Sequence, residues 1–217
     1  MRPLRSPVAS VASVALLVTL GLAAASGARA TEPLEVNPPP GVLPPSSKPP
    51  VITPTAPRAG DKAPAFTLKA VDTGQPRALE SFTKAKGKAK GAVVLFLSCR
   101  CPYVAQAHAP LADLYKQYGD KVSFVGLNAN QNEKADDIKA DAAQSFAFPM
   151  LRDEGSKVAD LYGAQRTPEA FVVDPSGVIR YHGGVADLGP ALAQLVSGAP
   201  VAKSESKAFG CTIKRKP

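Results

Sequence analysis

Charge and hydropathy divide the chain into three stretches. Val8 to Ala28 runs without a charge, residues 31–58 are crowded with proline, and from residue 59 onward apolar positions recur with regular periods. In that third stretch, Ala92-Val93-Val94-Leu95-Phe96-Leu97 is unbroken apolar sequence, as expected of a strand buried on both faces. Residues 102–118 place Val104, Leu111, Leu114, Tyr115 and Tyr118 on one helical face, with Pro110 predicted to kink it. Val122 to Leu127 predicts a second strand, and residues 132–146 a polar helix with Ile138, Ala142 and Phe146 inward. A short helix is expected around Lys157–Tyr162. Ala170–Val173 and Val178–Tyr181 read as strands joined by the turn Asp174-Pro175-Ser176-Gly177, and residues 187–198 as a last helix.

The order β-α-β-α-β-β-α predicts a parallel pair crossed by a helix, with an antiparallel hairpin at one edge. That is an α/β sandwich with a central mixed sheet flanked by helices. A chain of 217 residues allows one such domain with appendages, and 45 % hydrophobic residues exclude wholesale disorder. The organisation expected is a targeting segment over 1–30, a proline-rich linker over 31–58 and one domain over 59–217.

The first thirty residues have a positive start at Arg2 and Arg5, an uncharged run, and small residues in Ala28-Arg29-Ala30, the layout of a secretory signal peptide. The 21 uncharged residues also suffice for an uncleaved anchor, so membrane attachment is expected only if this segment is retained. Cleavage would place Thr31 at the mature N-terminus, in the periplasm or outside the cell. The formal charge of +8 first suggests nucleic acid, but residues 1–30 carry three of the 26 basic residues and none of the 18 acidic ones. The remainder nets +5, in scattered positions and short lysine clusters such as Lys84–Lys90, typical of solvated loops, and no nucleic-acid partner is expected. Ten prolines between Pro33 and Pro57 block helix and sheet and favour an extended spacer. A stalk and an unstructured mature terminus fit that stretch equally.

Outside the cytosol thiols can oxidise and stay oxidised, so the three cysteines call for an account. Neither a CxxCH haem motif nor paired CxxC zinc motifs occur. Ser98-Cys99-Arg100-Cys101-Pro102 lies where the apolar strand hands over to the helix. Cys101 then caps or begins that helix, with Pro102 where a missing N–H is tolerated. Unpaired backbone donors and about half a positive charge face the sulfur and favour thiolate. Arg100 is expected to add a cation. A structural cysteine or a simple staple is the competing reading.

These residues resemble the redoxin branch of the thioredoxin superfamily, which includes AhpC/TSA peroxiredoxin-like and TlpA-like exported proteins. The resemblance is carried by Gly60-Asp61-Lys62-Ala63-Pro64-Ala65-Phe66-Thr67-Leu68, Phe96-Leu97-Ser98, Cys101-Pro102, Val125-Gly126-Leu127-Asn128, Phe148 to Asp153 and Tyr162 to Asp174. It implies a thioredoxin-like three-layer sandwich, with Thr167-Pro168 as the cis-proline loop that packs against the reactive cysteine. The chain departs from the pattern in three places: Val104 replaces the second cysteine of CxxC, Val94 the proline of PxxxTxxC, and Leu95 the buried acid of thioredoxins, while Ser98 can serve as the hydroxyl of PxxxTxxC. Cys99 and Cys211, in Phe209-Gly210-Cys211-Thr212-Ile213, are instead available as a second thiol.

Three functions follow. The first is thiol–disulfide exchange with Cys101 as nucleophile and Cys99 or Cys211 as resolver, acting on protein thiols with a further reductant or oxidant as partner. The second is a thiol peroxidase, in which Arg100 or Arg166 steadies developing charge. The third is a copper-binding module using Cys99, Cys101 and His108 or His182; outside it, no metal or cofactor is expected. Glu169, next to Pro168, is the candidate proton relay. Cys99 and Cys101 would point the same way on an extended strand end, but a disulfide between them closes a small, strained ring. Gly210 permits close backbone approach, and a loop of this length stabilises by roughly 4–5 kcal/mol when closed. Cys101–Cys211 is therefore the favoured oxidised form, with Cys99–Cys101 the alternative.

Overall fold

In a computed structural model, the structure describes residues 55–86 and 90–216. The expected targeting and spacer segments lie outside them, apart from residues 55–58. The elements are β1 (Thr67–Ala70), β2 (Pro76–Ala78), α1 (Leu79–Thr83), β3 (Ala92–Leu97), α2 (Pro102–Tyr118), β4 (Ser123–Asn128), α3 (Ala135–Ser145), β5 (Met150–Arg152), α4 (Lys157–Tyr162), β6 (Arg166–Thr167), β7 (Glu169–Val173), β8 (Ile179–Gly183), α5 (Leu188–Ser197) and β9 (Cys211–Thr212). Seven strands form one mixed sheet in the order β2-β1-β5-β4-β3-β7-β8, and β6 and β9 form a separate antiparallel pair.

The apolar run of β3 sits near the middle of the sheet because all six of its residues are buried. It pairs parallel with β4 and antiparallel with β7. Successive side chains alternate between two cores. Val94 and Phe96 join Phe82, Tyr162, Phe171 and Ile213 on the face covered by α1 and α4. Val93, Leu95 and Leu97 join Val104, Leu111, Ile138 and Leu192 beneath α2, α3 and α5. The three layers and the β7–β8 hairpin at one edge follow the predicted order. The helix α2 runs on through Pro110 to Tyr118. The second strand begins one residue later than its apolar pattern, at Ser123, and α3 is shorter at both ends, with half-buried Phe146 just beyond it. Strands β1, β2 and β5 carry no alternation long enough to be read from sequence.

Candidate active site

At the upper end of β3 the chain leaves the sheet after Leu97, turns through Ser98, Cys99 and Arg100, and enters α2 with Cys101 as N-cap and Pro102 in the first turn. The Cys101 backbone is extended (φ −90°, ψ 118°), so the helix N-terminus opens at the sulfur's own residue. Opposite lies the Thr167–Pro168 peptide bond, which is cis. Cys101 Sγ donates to the Thr167 carbonyl at 3.1 Å. β9 lies antiparallel to β6, with Cys211 in register with Thr167. This brings Cys211 Sγ to 2.6 Å from Cys101 Sγ, across 110 residues of sequence. The approach needs Gly210, because a Cβ there would overlap the Thr167 carbonyl and lie 3.2 Å from the Pro168 nitrogen.

The tail that carries Cys211 is held on both sides. Ile213 is 3 % exposed in the core between the sheet and α4. Lys214 N–H donates to Asn130 Oδ1 (2.9 Å), and Arg215 bonds Asp160 and the Ala164 carbonyl. Upstream, the tail backbone bonds His182 through Ser204 and Ser206. These contacts set the two thiols in unlike surroundings. Burial pushes the Cys101 thiol up, but the Cys211 thiol and the N–H groups of Val104 and Cys211 outweigh it and hold the thiol below its ordinary value. Cys211 is raised by burial and by the neighbouring Cys101.

Cys99 faces elsewhere. Its Sγ donates to Glu133 Oε2 at 3.2 Å, and its N–H donates to the same oxygen at 3.1 Å. Burial, then Glu133 and Asp141, push it up to about 12. The expectation that Cys99 and Cys101 share a direction is therefore corrected: the strand has ended, and the turn sends the two sulfurs to different partners. Glu133 is 6 % exposed and also takes hydrogen bonds from Ser98 Oγ and from Asn128 Nδ2 (2.6 Å). It is a buried acid that serves Cys99 and not Cys101. It comes from the loop after β4, where no periodicity marks it.

Other expected participants are engaged by groups other than the thiols. Arg100 pairs with Asp137 at 2.9 Å instead of facing Cys101. Arg166 reaches Thr212 Oγ1 (3.0 Å) and the Gly210 carbonyl, clamping the tail. Glu169, expected beside the thiol as a proton relay, is corrected: Oε2 accepts from the Gln165 and Arg166 N–H groups at 2.8 Å each, and Oε1 lies 2.7 Å from His182 Nε2. Its carboxylate shapes the strand before the cis-proline. His182 stacks on Phe171, and His108 packs edge-on against Phe146. The copper set of Cys99, Cys101 and a histidine does not converge, and among the described residues no group of three His, Cys, Asp or Glu side chains could hold a metal.

Residues 59–182 match the AhpC/TSA family, more than half of the chain. The chain belongs to the AhpC/TSA family. This redoxin is 31 % identical over 123 residues to "Thioredoxin-like protein YneN" of Bacillus subtilis, covering 56 % of this chain and 68 % of the relative. It is 26 % identical over 129 residues to "Thiol-disulfide oxidoreductase ResA" of Halalkalibacterium halodurans, covering 58 % and 69 %. A crystal structure of an uncharacterized conserved protein from Geobacillus kaustophilus superposes with a TM-score of 0.65 at 29 % identity, covering 73 % of this chain and 93 % of that one. The redoxin has the thioredoxin-like sandwich and is an oxidoreductase of the thiol–disulfide or peroxidase-like kind.

Proposed function

We propose that this redoxin is an exported thiol–disulfide oxidoreductase whose redox couple is Cys101 with Cys211. The observation that carries the reading is the 2.6 Å approach of the two sulfurs across the cis-proline strand. Cys101 is the nucleophile, since its thiolate is favoured by the donors around it. Cys211 resolves the mixed disulfide that Cys101 forms with a protein substrate. The cis Thr167–Pro168 strand seats both thiols, Arg166 clamps the tail, and Glu169 with His182 holds that strand in place. Cys99 is a structural thiol bound to Glu133. Peroxide turnover has less support, because Ser98, Arg100 and Arg166, the groups that would serve a peroxide, are engaged elsewhere.

Export is proposed from Arg2, Arg5, the uncharged run and Ala28-Arg29-Ala30. Among the described residues no helix is long and apolar enough to cross a membrane. Non-reducing peptide mapping of the protein from its extracytoplasmic fraction tests the whole reading. The expected map begins at Thr31, links Cys101 to Cys211 and leaves Cys99 free. Reduction of insulin disulfides should be lost in Cys101→Ser and Cys211→Ser and kept in Cys99→Ser. A Cys99–Cys101 linkage, or full activity without Cys211, would overturn it.

A further inference from the structure

Resting on the Cys101–Cys211 couple, we propose that Glu133 is the positioning residue that selects Cys211 as the resolving thiol, by engaging the Cys99 thiol away from Cys101. Two thiols compete for that role. Cys99 is two residues from the nucleophile, whereas Cys211 is 110 residues away. Ring strain opposes a Cys99–Cys101 bond but does not forbid it. A further device therefore keeps the nearer thiol out of the exchange, and the contacts of Glu133 supply it.

The carboxylate grips the turn before Cys101 at three points. Oε1 accepts from Ser98 Oγ, and Oε2 accepts from the Cys99 N–H at 3.1 Å and from Cys99 Sγ at 3.2 Å. Backbone and sulfur of Cys99 are thus tied to one oxygen, while the contacts of Cys101 Sγ are the Thr167 carbonyl and Cys211. Glu133 is itself held from behind. Asn128 Nδ2 donates to Oε2 at 2.6 Å, and Asn128 Oδ1 accepts from Arg152 (2.7 Å) and from the Asn130 N–H (3.2 Å). The acid is anchored to the end of β4 and does not follow Cys99 if that thiol strains toward Cys101.

The same contacts decide which thiol can react, since the thiolate is the nucleophile. Cys99 faces an acceptor: burial first and Glu133 next push it up to about 12, Asp141 adds to this, and Arg100 opposes it. Cys211 is raised by burial and by Cys101, yet it faces the Tyr103 N–H and Lys214, which favour its thiolate. In the resolving step a thiolate forms a bond to Cys101 Sγ while the bond from Cys101 to the substrate sulfur breaks. The electron pair leaves on the substrate sulfur, which takes a proton from water. Over the two steps the redoxin dithiol loses two electrons and the substrate disulfide gains two.

The test uses the full chain carrying Cys211→Ser, loaded on Cys101 from oxidised glutathione, freed of excess and incubated at pH 8. Samples are quenched in acid, alkylated and mapped by mass spectrometry. With Glu133 in place, the adduct on Cys101 should persist and Cys99 should be alkylated. Glu133→Gln in the same chain keeps the shape of the side chain and removes its charge. The adduct should then be lost to a Cys99–Cys101 linkage at least about threefold faster, because a tenfold gain in thiolate share is partly offset by lower nucleophilicity. A purely structural role would lower the urea midpoint without giving Cys101 a new resolver. Equal rates in the two chains, or glutathione on Cys99 while Glu133 is present, would overturn the proposal and leave the couple intact. An unvaried chain that forms no Cys101–Cys211 linkage would overturn the function itself. Where the Gln chain loses its cooperative urea transition, Glu133→Asp decides. Its carboxylate, withdrawn by one bond, should release Cys99 and give the same acceleration; an unchanged rate would sink the idea.

Discussion

Gly210→Ala adds one methyl group where β9 crosses the cis-proline strand. The new Cβ would overlap the Thr167 carbonyl and sit 3.2 Å from the Pro168 nitrogen, both backbone atoms of a strand packed into the domain. Neither neighbour can rotate aside, so the tail must move. Cys211 is the next residue, and its sulfur meets Cys101 within a geometry that tolerates little displacement, since strained disulfides are more reducible. Overpacking of this kind costs about 1–3 kcal/mol. In the reduced protein the tail can shift and relieve the clash, whereas in the oxidised protein the disulfide holds it there. The cost therefore falls on the oxidised form, and the reduction potential rises by roughly 20–65 mV for a two-electron couple. Equilibration in glutathione redox buffers, followed by alkylation and mass measurement of the two forms, reads the shift. An unchanged potential in a folded Gly210→Ala chain would refute the argument that Gly210 sets the approach of the two thiols.

Three further outcomes are expected. Cys99 is held protonated up to about 12 in the folded chain, while an unfolded thiol ionises near pH 8.5, so the unfolded state releases this proton first and stability falls as pH rises from about 8.5 toward 12; urea midpoints of the reduced protein should decline less over that window in Cys99→Ala. Glu169→Gln removes the charge that meets His182 and disturbs three partly buried hydrogen bonds, costing about 1–3 kcal/mol in denaturant unfolding while the Cys101 titration, followed by thiolate absorbance, stays in place; a moved titration would restore Glu169 as a proton relay. Ile213→Ala empties a core position that is 3 % exposed and should cost about 2–5 kcal/mol, with faster alkylation of Cys211 in the reduced chain; unchanged labelling would mean that Ile213 does not anchor the tail.

What the sequence determined by itself is the sandwich and the corner where its chemistry sits. The run Ala92–Leu97 and the helical spacing of Val104, Leu111 and Tyr118 announce burial through local periods, and Asp174-Pro175-Ser176-Gly177 announces a turn through backbone preference. Such signals survive without knowledge of any distant partner. Cys101-Pro102 at the strand-to-helix boundary was legible on the same ground. The tertiary structure decided what surrounds that corner. Strands of two or three residues, such as β6, β9 and β5, have too few positions to show alternation, and their pairing is written in partners far along the chain. Arg100, Glu169 and Glu133 illustrate the same limit. Proximity in sequence put Arg100 beside Cys101, yet the turn carries its guanidinium to Asp137. Adjacency to Pro168 suggested a relay at Glu169, yet its carboxylate meets the Gln165 and Arg166 N–H groups and His182. The acid that holds Cys99 arrived from a loop with no period of its own. A side chain one residue from a reactive group can point anywhere the packing sends it, and only the folded chain fixes that direction.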